Sequence, residues 1–496
     1  MRFTLNLVCF KGAVTMEKFD VAIVGAGIIG CAVARELSRY KLKIGVFEKN
    51  HDVCFETTGR NSGVLHGGFA YDRGSLKAEC CLKGNREFDQ TAKELDIPFK
   101  RTGKLLVGED ISDYKSLLEV LDQGHDNGCS ELRLVSEEEI KKLVPYAQGK
   151  YGLFSPLSGI MDPFQYVIGL AENAKLNGVE FFFHERVNKV SRDRSGFIVQ
   201  SKNKKIESRW LINAAAMGGP AISEMAGISG YRTTAGKGAY IILDKKTGLY
   251  LPMPVYPVPN NSYMGVHVTP TVDGNAIIGP AGDEIEDGDD YSVSQEIIEY
   301  LSKSASRIWP CIRKKDYIRN YCGNAAKWYD SKGLIYDYKI EIRDDQAPHF
   351  INMVNMESPA LTSALPLARR AATLMKDREN LHINTSFDPM RIRVTRFTEM
   401  SDREREEKIR ENPDYGEIIC RCEKVTKAEI IQAIHNPLGV NTVAGIKLRT
   451  RAMTGRCQGG YCEMRIVKLL QEELGVSERE IIYEREGSYM FSGKVR

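Results

Sequence analysis

The chain has 496 residues, too many for one ordinary core, so two or three domains are expected. With 42% apolar and 27% charged residues it reads as globular, and a net charge of +3 is too even to argue for nucleic acid as a partner. Twelve cysteines without a regular framework favour a reducing, cytoplasmic setting over a secreted disulfide scaffold.

Residues 1–15 are basic and lack acids, and their apolar run is far too short to span a bilayer. They read as a weak targeting segment or as residues upstream of a start at Met16. No other stretch approaches transmembrane length. The first element is a buried-type strand over Phe19–Val24, followed by a helix over Gly30–Tyr40 and a second strand over Leu42–Phe47. This βαβ unit opens a parallel sheet. A helix at Phe164–Asn177, a strand at Glu180–Phe183, a hairpin of Phe197–Ser201 with Lys205–Ile206, and a strand at Arg209–Asn213 continue it. A strand at Phe350–Asn355 and a helix at Leu361–Met375 close it. The stretches between, richer in Tyr, Thr and Pro, predict a separate, largely antiparallel sheet. Residues 398–415 are dense in charge and predict a linker or a solvated helix. Beyond them Thr426 and Glu429 form a capping box for a helix over Lys427–His435, which Asn436-Pro437-Leu438-Gly439 stops. Two more helices follow, Asn441–Arg449 and Glu463–Leu474.

Two motifs carry chemistry. Gly25-Ala26-Gly27-Ile28-Ile29-Gly30 sits between the first strand and its helix. Gly25 permits the turn, Gly27 lets backbone amides approach a pyrophosphate, and Gly30 lets the helix pack on the strand. Glu48, ending the next strand, is placed to accept both ribose hydroxyls, and an acid there argues against a 2′-phosphate. At the other end stand Cys420-x-Cys422 and Cys457-x4-Cys462. Four thiols in this pattern fit zinc, disulfides or an iron–sulfur cluster. The tight C-x-C spacing is poor for one tetrahedral zinc, and disulfides are poor in a reducing compartment. Lys424, Lys447, Arg449, Arg451 and Arg456 would offset the negative charge of a cluster. Cys54, Cys80, Cys81, Cys129, Cys311 and Cys322 read as plain thiols.

Three further segments decide between nucleotides. They are Thr57–Gly68 (TTGRNSGVLHGG), Gly265–Asn275 (GVHVTPTVDGN) and Met356–Thr362 (MESPALT). Together they resemble the FAD-dependent D-amino-acid-oxidase-like superfamily, in its glycerol-3-phosphate dehydrogenase and L-2-hydroxyglutarate dehydrogenase branches. The C-terminal cysteines, with Lys447-Leu448-Arg449-Thr450-Arg451 before them, resemble a [2Fe-2S] domain of the bacterioferritin-associated-ferredoxin type. The resemblance implies an α/β fold: a Rossmann-like FAD domain at 16–76, 151–229 and 326–395, interleaved with an antiparallel α+β substrate domain at 77–150 and 230–325. A linker at 396–415 and a small helical iron–sulfur domain at 416–496 complete it. It implies FAD held by Gly25, Gly27, Gly30, Glu48, Thr58, Asn61, Ser62, Val187, Ala214, Pro359, Leu361 and Thr362. A [2Fe-2S] cluster would be held by Cys420, Cys422, Cys457 and Cys462.

The expected reaction is oxidation of a small anionic hydroxyl substrate, with sn-glycerol 3-phosphate preferred and L-2-hydroxyglutarate or another 2-hydroxy acid as the alternative. Electrons would leave through the cluster to a separate acceptor protein, with peripheral membrane association through that partner. His66 and His267, two of eight histidines, are candidate proton acceptors, because an imidazole titrates near working pH. Lys327 is the candidate cation for the substrate's anionic group, with Arg73, Arg232 and Lys237 in reserve. The family's active-site arginine is replaced by Ala325. That departure supports a third reading, an electron-transfer subunit whose partner holds the substrate.

Overall fold

A computed structural model describes residues 16–193, 196–259 and 265–493. Residues 1–15, on which the targeting or upstream-start reading falls, lie outside the described residues. The first sheet is built on parallel strands Glu180–Phe182, Ile44–Phe47, Glu17–Val24, Lys205–Asn213 and Phe350–Val354, in that spatial order. Ile44–Phe47, Phe350–Val354 and the second half of Glu17–Val24 are buried, near-continuous apolar runs, as a parallel sheet demands. Helices Ile28–Leu37, Pro163–Leu176 and Ala360–Lys376 supply Val33, Ile168, Ala364 and Ala368 to its core. Lys205–Asn213 is one strand rather than two. Its first half pairs with Phe197–Gln200 and its last three residues with Phe350–Val354, while Glu17–Val24 pairs with both halves along the other edge.

Among the described residues the second sheet has ten strands, and its longest pairing joins Arg232–Leu243 to Tyr317–Asp330 antiparallel. The expected boundaries between the two units move in three places. Helices Leu76–Arg86 and Phe88–Leu95 bury Cys80, Phe88, Ala92 and Leu95 in the core of the first sheet, so the second unit does not begin at 77. Tyr151–Ser155 pairs with Lys104–Gly108 and belongs to the second sheet. Tyr317–Asp330 carries that sheet past 325. Much of 77–150 is helical rather than β-type. Asp110 caps Ile111–Asp126, and Ser136 with Glu139 forms a capping box for Glu137–Leu143.

In the charged stretch, helix Asp402–Glu411 has no buried residue. The C-terminal unit has its own core, in which Ile430, Val443, Ile446, Ile466 and Leu470 surround Cys420 and Cys462. Its helices run Lys427–Ile434, Val443–Thr450 and Glu463–Leu474.

Candidate functional site

The glycine turn works as its spacing implies. Gly25 has φ +103°, and a side chain there would meet the Ala214 carbonyl oxygen at 2.5 Å. At Gly30 a Cβ would lie 1.8 Å from the Gly25 carbonyl oxygen, which fixes the helix against the turn. Gly27 differs: its Cβ would meet only Thr58 Oγ1, at 3.1 Å, so the space beside it is open for a phosphate. Gly27 caps the helix without a side chain and no acid occupies the first turn, so the anion-attracting end is free apart from Ile28 N–H, which donates to Thr58 Oγ1 at 3.2 Å. Glu48 is buried and accepts from Ala26 N at 2.8 Å and from Asn50 N at 2.9 Å. A third bond, from Asn50 Nδ2 at 3.0 Å, fills Oε1, and Oε2 keeps a lone pair for a ribose hydroxyl. Val187 packs beside Val24 and Phe47 at this end of the sheet. Ala214 N donates to Val24 O.

The next loop passes from the nucleotide end toward the second sheet. Asn61 Oδ1 accepts from Gly63 N at 2.8 Å, Asn61 O accepts from Tyr321 Oη at 2.8 Å, and Ser62 bonds Tyr256. The helix that Pro359 opens has no acid in its first turn; Leu361 packs on the core, and Thr362 Oγ1 accepts from His66 N at 3.1 Å. The groups present therefore fit an FAD: an open phosphate cradle, a ribose acid, and a second helix start near the expected flavin loop.

His66 and His267 come together, each near enough to Lys104 to be held down by its charge. Burial, then Lys104, lowers His66 to about 3. Burial lowers His267 as well, and Lys104 and His66 add to it. Both imidazoles are neutral at working pH, but neither has the near-neutral pKa expected of a free histidine. His66 Nδ1 lies 3.2 Å from Tyr71 Oη, which also bonds Ser358. His267 Nδ1 lies 2.9 Å from Thr269 Oγ1, and its ring stacks on Tyr256 with centroids 4.0 Å apart.

Lys327 is not the free cation expected. Its Nζ is 2.5 Å from Glu357 Oε2, and Lys77 takes the other oxygen of the same carboxylate at 2.8 Å. The reserve cations fare no better: Arg73 pairs with Asp126 and Lys237 with Asp290, while Arg232 lies over the Tyr329 ring. Sequence reasoning missed Lys104. It opens the apolar strand Lys104–Gly108, every residue of which is buried. A lone charge inside such a run was the available signal.

At the other end the four cysteines converge. Cys422 Sγ lies 3.5 Å from Cys457 Sγ, and Cys420 bonds Cys462. Two sulfurs bound to one tetrahedral metal at about 2.3 Å lie about 3.8 Å apart, so the Cys422–Cys457 spacing suits metal ligation. The Cys420–Cys462 bond lowers Cys420 and raises Cys462, so one proton sits between the two sulfurs, and the Met453 amide favours the thiolate of each. Cys457 is lowered too, by Cys422 and the amides of Gly459 and Tyr461. Met453, whose amide serves Cys420 and Cys462, and Gln458, which precedes the Gly459 amide on Cys457, have positive φ. Gly455 admits no side chain, since a Cβ would meet Cys422 Cβ at 2.3 Å. Thiolate-stabilising amides around four sulfurs fit a cluster with negative charge.

Buried contacts hold this unit in place. Arg449 is fully buried and bonds both oxygens of Asp52, at 2.5 and 3.1 Å. Gln165 Nε2 donates to the carbonyls of Leu448 and Arg449. Arg451 bonds Asp273 at 2.6 Å and Arg456 bonds Asp244 at 2.9 Å, both in the second unit. Where the three units meet, a cavity of about 220 Å³ separates the Arg60–Gly63 loop from the cluster loop. Asn61, Tyr321, Lys447 and Gln458 line it; His66 and His267 do not.

A family model described as FAD dependent oxidoreductase matches residues 20–374. The chain belongs to that family. A second model, the BFD-like [2Fe-2S] binding domain, matches residues 418–472, so FAD and a [2Fe-2S] cluster are its cofactors. The chain is 35% identical over 481 residues to a glycerol 3-phosphate dehydrogenase of Caloramator mitchellensis, covering 96% of this chain and 99% of that one. It is 27% identical to the mitochondrial L-2-hydroxyglutarate dehydrogenase of Caenorhabditis elegans, over 72% of this chain and 93% of the relative. Among solved structures, the L-alpha-glycerophosphate oxidase of Mycoplasma pneumoniae, with FAD bound, superposes with a TM-score of 0.70 at 27% identity, over 76% of this chain and 99% of that one. This FAD dependent oxidoreductase also shares its fold with the glycerol-3-phosphate dehydrogenase of Bacillus halodurans, at a TM-score of 0.65 and 14% identity, over 93% and 92% of the two chains. Among the described residues no helix is long and apolar enough to cross a membrane.

Proposed function

We propose that this FAD dependent oxidoreductase is a dehydrogenase of sn-glycerol 3-phosphate, producing dihydroxyacetone phosphate and passing electrons through its [2Fe-2S] cluster to a separate acceptor protein. The observation that carries the reading is a match to a glycerol 3-phosphate dehydrogenase along essentially both whole chains, cluster unit included. The second reading, L-2-hydroxyglutarate or another 2-hydroxy acid, draws on relatives that match about three quarters of the chain. A chain that only relayed electrons would have no use for two buried neutral histidines beside a buried lysine, which weighs against the electron-transfer-subunit reading.

Bound FAD supplies the hydride acceptor and the cluster a one-electron site. The chain's own residues do the rest. Gly25, Gly27 and Gly30 seat the pyrophosphate and Glu48 the ribose. In the tautomer where His66 Nδ1–H donates to Tyr71 Oη, Nε2 is free to take the substrate's hydroxyl proton. His267, held by Thr269 and stacked on Tyr256, orients the substrate from the opposite unit. Cys422 and Cys457 are exposed, so the acceptor protein docks on that side, bringing any membrane association with it. Anaerobic mixing with each substrate tests the reading. Glycerol 3-phosphate should bleach the flavin absorbance. Bleaching by L-2-hydroxyglutarate alone would move the assignment to the second reading, and bleaching by neither would defeat both.

A further inference from the structure

We propose that Lys104 is the anion-binding cation of the substrate site, in place of the arginine missing at Ala325. Lys104 is 1% exposed. Its ammonium lies 4.6 Å from the Phe69 ring centre and 4.5 Å from that of Tyr256. Among the described residues, none accepts a hydrogen bond from it and no carboxylate lies within ion-pair reach. Aromatic faces return only part of what a buried ammonium loses in leaving water. A buried charge of this kind is retained where a ligand of opposite charge completes it. The same Tyr256 ring carries His267 on it, and His66 also feels the Lys104 charge, so the unpaired cation sits beside both candidate proton acceptors.

The other cations near the site are spent, Lys327 and Lys77 on Glu357 and Lys237 on Asp290. Lys104 thus offers the charge that a phosphate or carboxylate on a short hydroxylated carbon chain needs. An anion bound there would also offset the Lys104 charge, the smaller of the two causes that depress both imidazoles, while burial would go on holding them neutral. This rests on the reading that the site oxidises an anionic alcohol, but it can be tested apart from that reading.

The groups facing Lys104 are His66 from the loop after Val64–Leu65, Cys81 from helix Leu76–Arg86, Tyr256 from Val255–Pro257 and His267 from His267–Pro270. Burial holds both histidines neutral and pushes the Cys81 thiol and Tyr256 phenol far up, so none of them titrates between pH 7 and 9. Burial lowers Lys104 itself to about 8. In the test, inorganic phosphate and, separately, succinate are titrated into the FAD- and cluster-loaded holoenzyme while the flavin spectrum is followed. At least one anion should perturb it, with affinity falling as pH rises through 8. Lys104→Met should weaken that binding by about 10- to 100-fold, the worth of a charged hydrogen bond, and abolish its pH dependence. Lys104→Arg should restore most of the affinity and move the loss to higher pH. Flavin content and circular dichroism report whether each variant is folded, with Lys104→Gln in reserve if Met is not tolerated. Response to phosphate but not succinate assigns a phosphate ester, and the reverse assigns a carboxylate. Absence of binding to the parent enzyme, or equal binding by the folded neutral variant, would overturn the proposal whatever the substrate-bleaching result.

Discussion

A histidine with a pKa of about 3 is a base already deprotonated across the physiological range, and His66 is such a residue. Flavin reduction should therefore show no inflection near pH 6.5 on its acid side. A plot of log kcat, which saturation frees from the substrate phosphate's own ionisation at about pH 6, should run flat from pH 5 to 7, and a fall by a factor of ten across that interval would mean that the imidazole is not held down. His66→Ala should slow flavin reduction by about 10²–10⁴-fold with FAD content nearly unchanged, measured by anaerobic stopped-flow. Lys104 makes an opposite demand on stability. Its folded-state pKa, about 8, lies below the ordinary 10.5, so burial of the charge costs stability in full below pH 8. That cost is relieved between pH 8 and 10.5, as the folded chain gives up a proton the unfolded chain keeps. The difference corresponds to about 3 kcal/mol. Lys104→Met should raise the unfolding midpoint at pH 7, and its advantage should shrink at pH 9.5. An unchanged midpoint at both pH values would show that the ammonium is well solvated in the native state.

At the scale of elements, what could be read from the sequence followed local rules. The strand–glycine-turn–helix at Phe19–Leu37 and the capping box at Thr426 are short-range patterns, and each occupies the place its pattern implies, whereas the thiols pair across the long gap, Cys422 with Cys457 and Cys420 with Cys462. The pairing of Tyr151–Ser155 with Lys104–Gly108 is long-range, and no local composition marks which sheet a strand will join. Lys327 failed for the same reason: its motif was visible, but Glu357, thirty residues on, was not visibly aimed at it. Lys104 had no motif at all, and only its burial gives it meaning. Helix Val443–Thr450 shows how one long-range contact fixes an element. Arg449→Met would leave the Asp52 carboxylate buried without its partner, at a cost of about 3–5 kcal/mol. The double variant Arg449→Met/Asp52→Leu should recover much of that loss. Denaturant midpoints of the parent and the two variants measure it, and a double variant no better than the single would mean that Asp52 finds another partner.

For the whole molecule, the proposed function divides the work between the two centres. Two-electron chemistry at the flavin needs no iron, whereas a one-electron acceptor needs a relay. Cys457→Ser should abolish the paramagnetic signal of the reduced cluster and the reduction of the natural acceptor, yet leave flavin bleaching by substrate intact. Loss of bleaching in a folded, FAD-replete variant would put the cluster inside the catalytic machinery.

The buried Arg449–Asp52 pair, with Arg451 on Asp273 and Arg456 on Asp244, ties the cluster unit to both larger units at once. A carrier domain on a flexible tether swings between donor and acceptor, and its turnover falls as the solvent thickens. A unit clamped on two sides cannot swing. Electrons would cross a gap of constant width, by tunnelling, and sucrose that doubles the viscosity should leave the internal transfer rate untouched while slowing only the encounter with the external acceptor.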